Sequence, residues 1–313
     1  MKSITAITTW CIALLASTAL AKEHAGIDLA GVKHPVKPML WKVEGKGLEQ
    51  PSYLFGTIHL ADKRLTTLHP AAQEAFDQAG AVYTEVDLSV ASQMKTVGLF
   101  MRKEKKTLQQ LVGDDLYAGV NDELKTINPA LDAKPFDQFK VWAIGVMLPV
   151  MKEQLSGALP LDVQLWNRAT KAGKKTGALE KMDEQVGKLD QLTMDEQIHL
   201  LDVTLKFLKK AREQGIDPYQ ELVDAYLTGD TGAVEEIYNQ DSYLGIKMDP
   251  KMLKKFYRLM LDERNVNIKD SILKVFAKNK NQSSFFAAGA AHYIGDTSVI
   301  KLLVDAGYKI TRM

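Results

Sequence analysis

Apolar positions along the chain change period twice. Near the start they fall in short runs. Met39-Leu40-Trp41-Lys42-Val43 precedes Glu44-Gly45-Lys46-Gly47, and an apolar stretch at 52–58 follows. Two such runs about a Gly-rich turn predict a β-hairpin. A helix is predicted over 70–79, with Pro70 in its first turn. Residues 81–87 then alternate as a strand does, which sets Glu85 and Asp87 on one face. From Ser89 to about Lys280 the spacing is mostly helical. Residues 136–155 predict a buried helix interrupted at Pro149, and its uncharged stretch at 141–150 is too short to cross a bilayer. Further helices are expected at 160–172, at 194–214 (with Ile198, Leu201, Leu205 and Leu208 near helical spacing), and at about 216–228, 231–240, 249–262 and 265–279. A brief strand at 175–179 ends at Glu180. A strand at 285–289, a helix at 296–306 and a strand at 308–310 close the chain. This order predicts an α/β fold in one domain over 39–313. Its central mixed sheet is built from N- and C-terminal strands, and the middle, about 89–280, is mostly helical.

Two of the predicted strands end in the same short pattern. Gly56-Thr57-Ile58-His59 follows Tyr53-Leu54-Phe55, and Gly289-Ala290-Ala291-His292 follows Phe285-Phe286-Ala287-Ala288. Each histidine falls just past the carboxyl end of its strand, where open α/β sheets bind ligands. Neutral imidazole is the commonest biological metal ligand, so two of them from distant parts of the chain can share one ion. Glycine three residues earlier clears space where backbone or substrate approaches. The alternative is that both histidines are surface residues at strand ends. Carboxylates would complete the site: Glu85 and Glu180 each end a strand, with Asp87 on the face of Glu85. Arg264, after Asp262-Glu263 at an expected helix break, suits either a substrate carboxylate or a neighbouring acid. Asp162 reads as a first-turn acid favoured by the helix dipole, with support of a site ligand as the lesser alternative. His69 before Pro70 reads as a turn residue, and His199 as structural. No phosphate-binding Gly loop, no Gly-x-Ser-x-Gly elbow and no His-Glu-x-x-His occurs.

The 313 residues are 46% apolar and 25% charged, an ordinary globular balance. Residues 1–21 read as a secretory signal: Lys2 near the start, an uncharged stretch from Ile4 to Leu20, and Ala19-Leu20-Ala21 as the cleavage site. Residues 22–38 read as a leader. Cys11, the only cysteine, would leave with the signal, so neither a disulfide nor a thiolate ligand is expected. Lys2 would leave too, which brings 40 basic residues to 39 against 39 acidic. That balance gives no reason to expect nucleic acid as a partner, and no stable membrane anchor is expected after cleavage.

Tyr53-Leu54-Phe55-Gly56-Thr57-Ile58-His59 resembles the opening signature of the TraB/GumN family, which includes the Tiki-like metalloproteases. Glu85 within Tyr83-Thr84-Glu85-Val86-Asp87 resembles its strand-borne acid. Leu179-Glu180, Arg264-Asn265, Gly289-Ala290-Ala291-His292 with Gly295, and the closing Leu302-Leu303 and Ala306-Gly307-Tyr308 fall in the family's order. The resemblance implies a fold shared with erythromycin-esterase-like and ChaN-like proteins, and a divalent-metal-dependent peptidase activity acting on a peptide or protein. On this reading His59, Glu85 and His292 bind the metal. Glu180 is a general base or further ligand, and Arg264 holds a substrate carboxylate or the developing oxyanion. The sulfur-free donor set suits Mn²⁺, Co²⁺, Zn²⁺ or Fe²⁺. The expected location is the periplasm or the exterior. Two alternatives stand beside it. One is a protein that sequesters a pheromone-like peptide without cutting it; the other is a haem- or iron-binding protein of the ChaN-like kind.

Overall fold

The expected hairpin forms from β1 (Leu40–Glu44) and β2 (Ser52–Thr57), paired antiparallel from Leu40 opposite Phe55 to Val43 opposite Ser52. The computed structural model describes residues 29, 31–155, 157–238 and 242–313. The expected signal at 1–21 lies outside the described residues, as do 22–28 and 30 of the leader. β3 (Ala81–Thr84), β4 (Lys175–Ala178), β7 (Ser284–Gly289) and β8 (Lys309–Arg312) complete a six-stranded sheet in the order β4-β3-β7-β2-β1-β8. A separate two-stranded hairpin, β5 (Ser242–Tyr243) and β6 (Ile246–Lys247), lies in the helical region.

β4, β3, β7 and β2 run parallel to one another, so their carboxyl ends share one edge. β1 runs the other way beside β2, and β8, antiparallel to β1, closes the sheet beyond it. The sheet is thus mixed and drawn from both chain ends, with β4 added from the helical middle. Every residue of β2, β3 and β7 is buried. That is why β2 and β7 read as apolar runs: parallel strands are covered on both faces. Phe55, Phe76 and Phe285 pack in one aromatic group, and Tyr83, Phe276 and Phe286 in another.

A second core lies within the helical middle, around Leu108, Leu124, Ile144, Leu148, Leu201 and Leu205. Helix Val141–Met147 joins the two: all seven residues are buried, Trp142, Ala143 and Val146 toward the sheet core and Val141, Ile144 and Met147 toward the other. A helix apolar all round needs such a place. It begins later than the expected start at 136. The backbone of that stretch is taken by Phe100-Met101-Arg102 instead: Lys140 N–H donates to Phe100 O at 2.8 Å and Arg102 Nε to Phe139 O at 2.8 Å. Pro149 interrupts as expected, in a 3₁₀ turn over Leu148–Val150, and helix resumes at Met151–Leu155.

The break expected near Asp262-Glu263 is absent. Helix Pro250–Tyr257 passes through a π-helical turn, Arg258–Asp262, into helix Glu263–Lys278. The acidic pair marks an outer surface, not an end: Glu263 pairs with Lys188 and Arg258, and Thr297 donates to Asp262 at 2.8 Å. No glycine or proline stands there to stop the helix. The π turn inserts a residue into the helical register, a distortion frequent at functional sites. Among the described residues no helix is long and apolar enough to cross a membrane.

Candidate functional site

The shared carboxyl edge of the four parallel strands carries the candidate residues. His59 follows β2, Glu85 follows β3, Glu180 follows β4 and His292 follows β7. The backbone ladder continues past the strands, with Leu179 N–H donating to Thr84 O at 2.9 Å and Glu180 N–H to Glu85 O at 2.7 Å, so the two glutamates lie side by side. Both motif glycines serve close approach. A Cβ on Gly56 would meet Met39 Cβ at 3.0 Å and Ala290 Cα at 3.1 Å. One on Gly289 would lie 2.8 Å from His59 Nε2 and 3.2 Å from Glu85 Oε1.

Glu85, 3% exposed, is the hub. Its Oε1 accepts the Gly289 N–H at 2.5 Å and meets His59 Nε2 at 3.1 Å and His292 Nε2 at 3.7 Å. Its Oε2 accepts from Arg264 Nη2 at 2.6 Å and Gln185 Nε2 at 3.3 Å. The Arg264 guanidinium also gives Nε and Nη2 to Glu180 Oε2 at 2.9 and 2.8 Å. Its side chain is 3% exposed, and it lies beside the protein's own carboxylates. The π turn ends two residues before Arg264, and Arg264 and Asn265 are both buried.

A second polar group faces the far nitrogen of each imidazole. His292 Nδ1 meets Asn265 Oδ1 at 2.6 Å, and Asn265 Nδ2 donates to Thr297 O at 2.9 Å. His59 Nδ1 faces Asp162 Oδ1 at 3.5 Å, and neither atom finds a hydrogen-bond partner. The loop carrying His59 is latched to helix Pro218–Thr228: Tyr226 Oη donates to Gly56 O at 2.7 Å, Tyr219 Oη to Ala61 O at 2.5 Å, and Arg64 bridges Asp62 and Asp224.

These contacts separate the titrations. Burial opposes the charge on His59, but Glu85 and Asp162 more than reverse it and raise its pKa to about 10. Burial and the Arg264 guanidinium push His292 down to about 3. Burial would raise Glu85, yet His59, Arg264 and His292 hold it well below the usual carboxylate range. Burial keeps Glu180 above that range despite Arg264. Perturbed groups gathered at one sheet edge make that edge the candidate site.

The profile of the TraB/PrgY/gumN family matches residues 39–312, from the residue before β1 through β8. The chain belongs to the TraB/PrgY/gumN family. Among relatives of this family member, Metalloprotease TIKI2 of Xenopus tropicalis is 26% identical over 312 residues, covering 87% of this chain and 59% of that protein. Metalloprotease TIKI2 of Danio rerio is also 26% identical, covering 87% and 60%. Metalloprotease TIKI1 of Homo sapiens is 24% identical, covering 93% and 65%. The chain thus spans about six-tenths of the length of these relatives. No solved structure shows a significant match.

The structure brings together all five expected residues, His59, Glu85, Glu180, Arg264 and His292. Asp87 is a correction. The strand ends at Thr84, and exposed Asp87 turns away to accept the Ser89 N–H at 2.8 Å ahead of helix Val90–Leu99. His69 caps helix Pro70–Gln78 through the Ala71 N–H, and His199 accepts the Asp249 N–H, both structural. Sequence reasoning gave no role to Gln185 or Asn265 and underread Asp162. The missed signal was polarity on an apolar stripe. Gln185 shares a buried face with Met182, Val186 and Leu189, and Asn265 with Ile268, Ile272 and Phe276. Asp162, 3% exposed, sits between buried Leu161 and Val163.

Proposed function

We propose that this chain is an exported, divalent-metal-dependent peptidase whose ion is held by His59, Glu85 and His292. The observation that carries the reading is the meeting of two imidazoles from opposite ends of the chain at one carboxylate oxygen, Glu85 Oε1, 3.1 and 3.7 Å away. Two donors on one tetrahedral ion, each about 2.0–2.1 Å from it, lie about 3.3 Å apart. The two distances straddle that separation. The charges agree: with both imidazoles neutral, Glu85, Glu180 and Asp162 face Arg264 alone, a deficit that one divalent cation balances. The unpartnered His59 Nδ1 and Asp162 Oδ1 belong to the same wall. The donors fit in kind, and each imidazole stands near that spacing from Glu85 Oε1. Among the described residues, however, no three or more His, Cys, Asp or Glu are gathered closely enough to hold an ion as they stand. The metalloprotease names of the relatives support the peptidase class, and the expected signal at 1–21 supports export.

When bound, the ion supplies Lewis acidity and a nucleophile drawn from water near neutral pH, without Ser or Cys. The remaining work falls to the chain. His59 and His292 present Nε2. Arg264 fixes Glu85 by its Oε2, which leaves Oε1 directed at the imidazoles. On this reading Arg264 is a positioning group, which follows the neighbouring-acid alternative of the two its sequence offered. Glu180 takes both of its Arg264 bonds on Oε2, so Oε1 is where it would hold and pass on a proton.

The test is cleavage. The purified protein, stripped with chelator and reloaded with Mn²⁺, Co²⁺ or Zn²⁺, is incubated with a peptide library and the products read by mass spectrometry. Cleavage is expected to return with the ion and to be lost in His59→Ala and His292→Ala. Turnover indifferent to chelation and to both substitutions contradicts the reading, and intact peptide co-eluting with the protein would make it a binding protein.

A further inference from the structure

Asn265 is 1% exposed and takes no part in the chemistry above. Its two amide atoms face groups that leave no choice of orientation. Thr297 O is a backbone carbonyl and only accepts, so the atom 2.9 Å from it is the amide nitrogen. The amide oxygen is then the atom 2.6 Å from His292 Nδ1. An amide oxygen also only accepts, so Nδ1 carries the proton. His292 is 2% exposed, which leaves water little part in that exchange. On the far side of the ring, Glu85 Oε1 stands 3.7 Å from Nε2, beyond hydrogen-bond reach. The proton on one ring nitrogen is set by the bond the other makes.

We infer that Asn265 is a positioning residue that locks His292 in the Nδ1–H tautomer, with a bare Nε2 turned toward Glu85. Thr297, five residues beyond His292, closes the device: its carbonyl orients the amide, and its hydroxyl donates to Asp262 in the π turn at 2.8 Å. The π turn, the histidine and the loop after it thus form one bonded ring. Partners of this kind behind metal-binding histidines are typically worth about 10–100-fold in metal affinity. The affinity consequence rests on the metal reading above; the tautomer does not.

The direct test uses ¹⁵N-labelled, metal-free protein and long-range ¹H–¹⁵N correlation of the histidine rings. His292 signals are assigned by their loss in His292→Gln. A protonated Nδ1 with an unprotonated Nε2 is expected; an Nε2–H ring, or one averaging between the two forms, overturns the inference. Co²⁺ affinity gives a second reading. Asn265→Leu is expected to bind about 10-fold weaker or worse. Asn265→Asp, which keeps an acceptor at Nδ1, is expected to stay close to the parent and to retain the tautomer. An Asn265→Leu protein that binds Co²⁺ as tightly as the parent overturns the inference. If the parent binds no Co²⁺ the metal reading fails, and the ring tautomer alone decides this one. If Asn265→Leu does not fold, the parent spectrum and the Asn265→Asp protein decide it.

Discussion

Arg264→Met would strip the countercharge from two buried carboxylates at once. Glu85 and Glu180 are 3% and 7% exposed, and between them they take three hydrogen bonds from this one guanidinium. Removing one partner of a buried ion pair typically costs about 3–5 kcal/mol, because the other charge stays buried without compensation. The entropy of unfolding of a chain of 313 residues is about 0.66 kcal/mol/K. The expected fall in Tm is therefore about 5–8 °C at pH 7–8 by calorimetry. The loss has a pH signature. Glu180 already lies above its usual pKa through burial and rises further without Arg264, so it protonates as the pH falls and the variant recovers stability toward pH 5. Arg264→Lys keeps charge without the fork and is expected to fall between parent and Met. Arg264→Met with Glu180→Gln is expected to recover about 1 kcal/mol or more of the single loss, since the two groups are coupled. A fall in Tm below about 2 °C, the same at pH 5 and pH 8, would show that Arg264 does not anchor the site.

Gly289→Ala places a methyl 2.8 Å from His59 Nε2 and 3.2 Å from Glu85 Oε1, at a backbone conformation (φ −51°, ψ 136°) that alanine adopts freely. Co²⁺ affinity and cleavage are expected to fall by an order of magnitude or more for about 1–3 kcal/mol of stability, and unchanged affinity would mean that the cleft is roomier than this. Tyr226→Phe loses the bond to Gly56 O and is expected to cost about 1 kcal/mol in urea unfolding; no loss would remove that tie from the account. His59 in metal-free protein has its pKa raised to about 10. Its proton-linked stability is complete below about pH 6.5 and disappears as the pH rises through about 10, so the stability gap between parent and His59→Gln should narrow over that window. A gap that is flat from pH 6 to 10 would contradict the pairing with Glu85 and Asp162.

β2, β3 and β7 were legible because each is buried on both faces and ends near glycine or a charge, and the half-exposed β4 because it stops before Glu180. The two Gly-x-x-His patterns were legible because a strand end, a missing side chain and an imidazole coincide twice. The five residues they suggested do gather at one sheet edge. What could not be read was the service each group performs. Arg264 was visible as a cation near an acidic pair, but the π turn just before it shifts the helical register, and a pattern of 3.6 residues per turn does not reveal an inserted residue. Asp87 looked equivalent to Glu85 by alternation, until the strand ended at Thr84. Asn265, Gln185 and Asp162 sit on apolar faces where a polar side chain is costly unless paired, and their partners come from distant segments.

X-ray absorption at the cobalt edge of Co²⁺-loaded protein measures the central claim most directly. One ion per chain is expected, bound by two imidazoles and carboxylate oxygen with no sulfur, and one imidazole fewer in each of His59→Ala and His292→Ala. No stoichiometric binding, or a ligand shell unchanged in both variants, would contradict it.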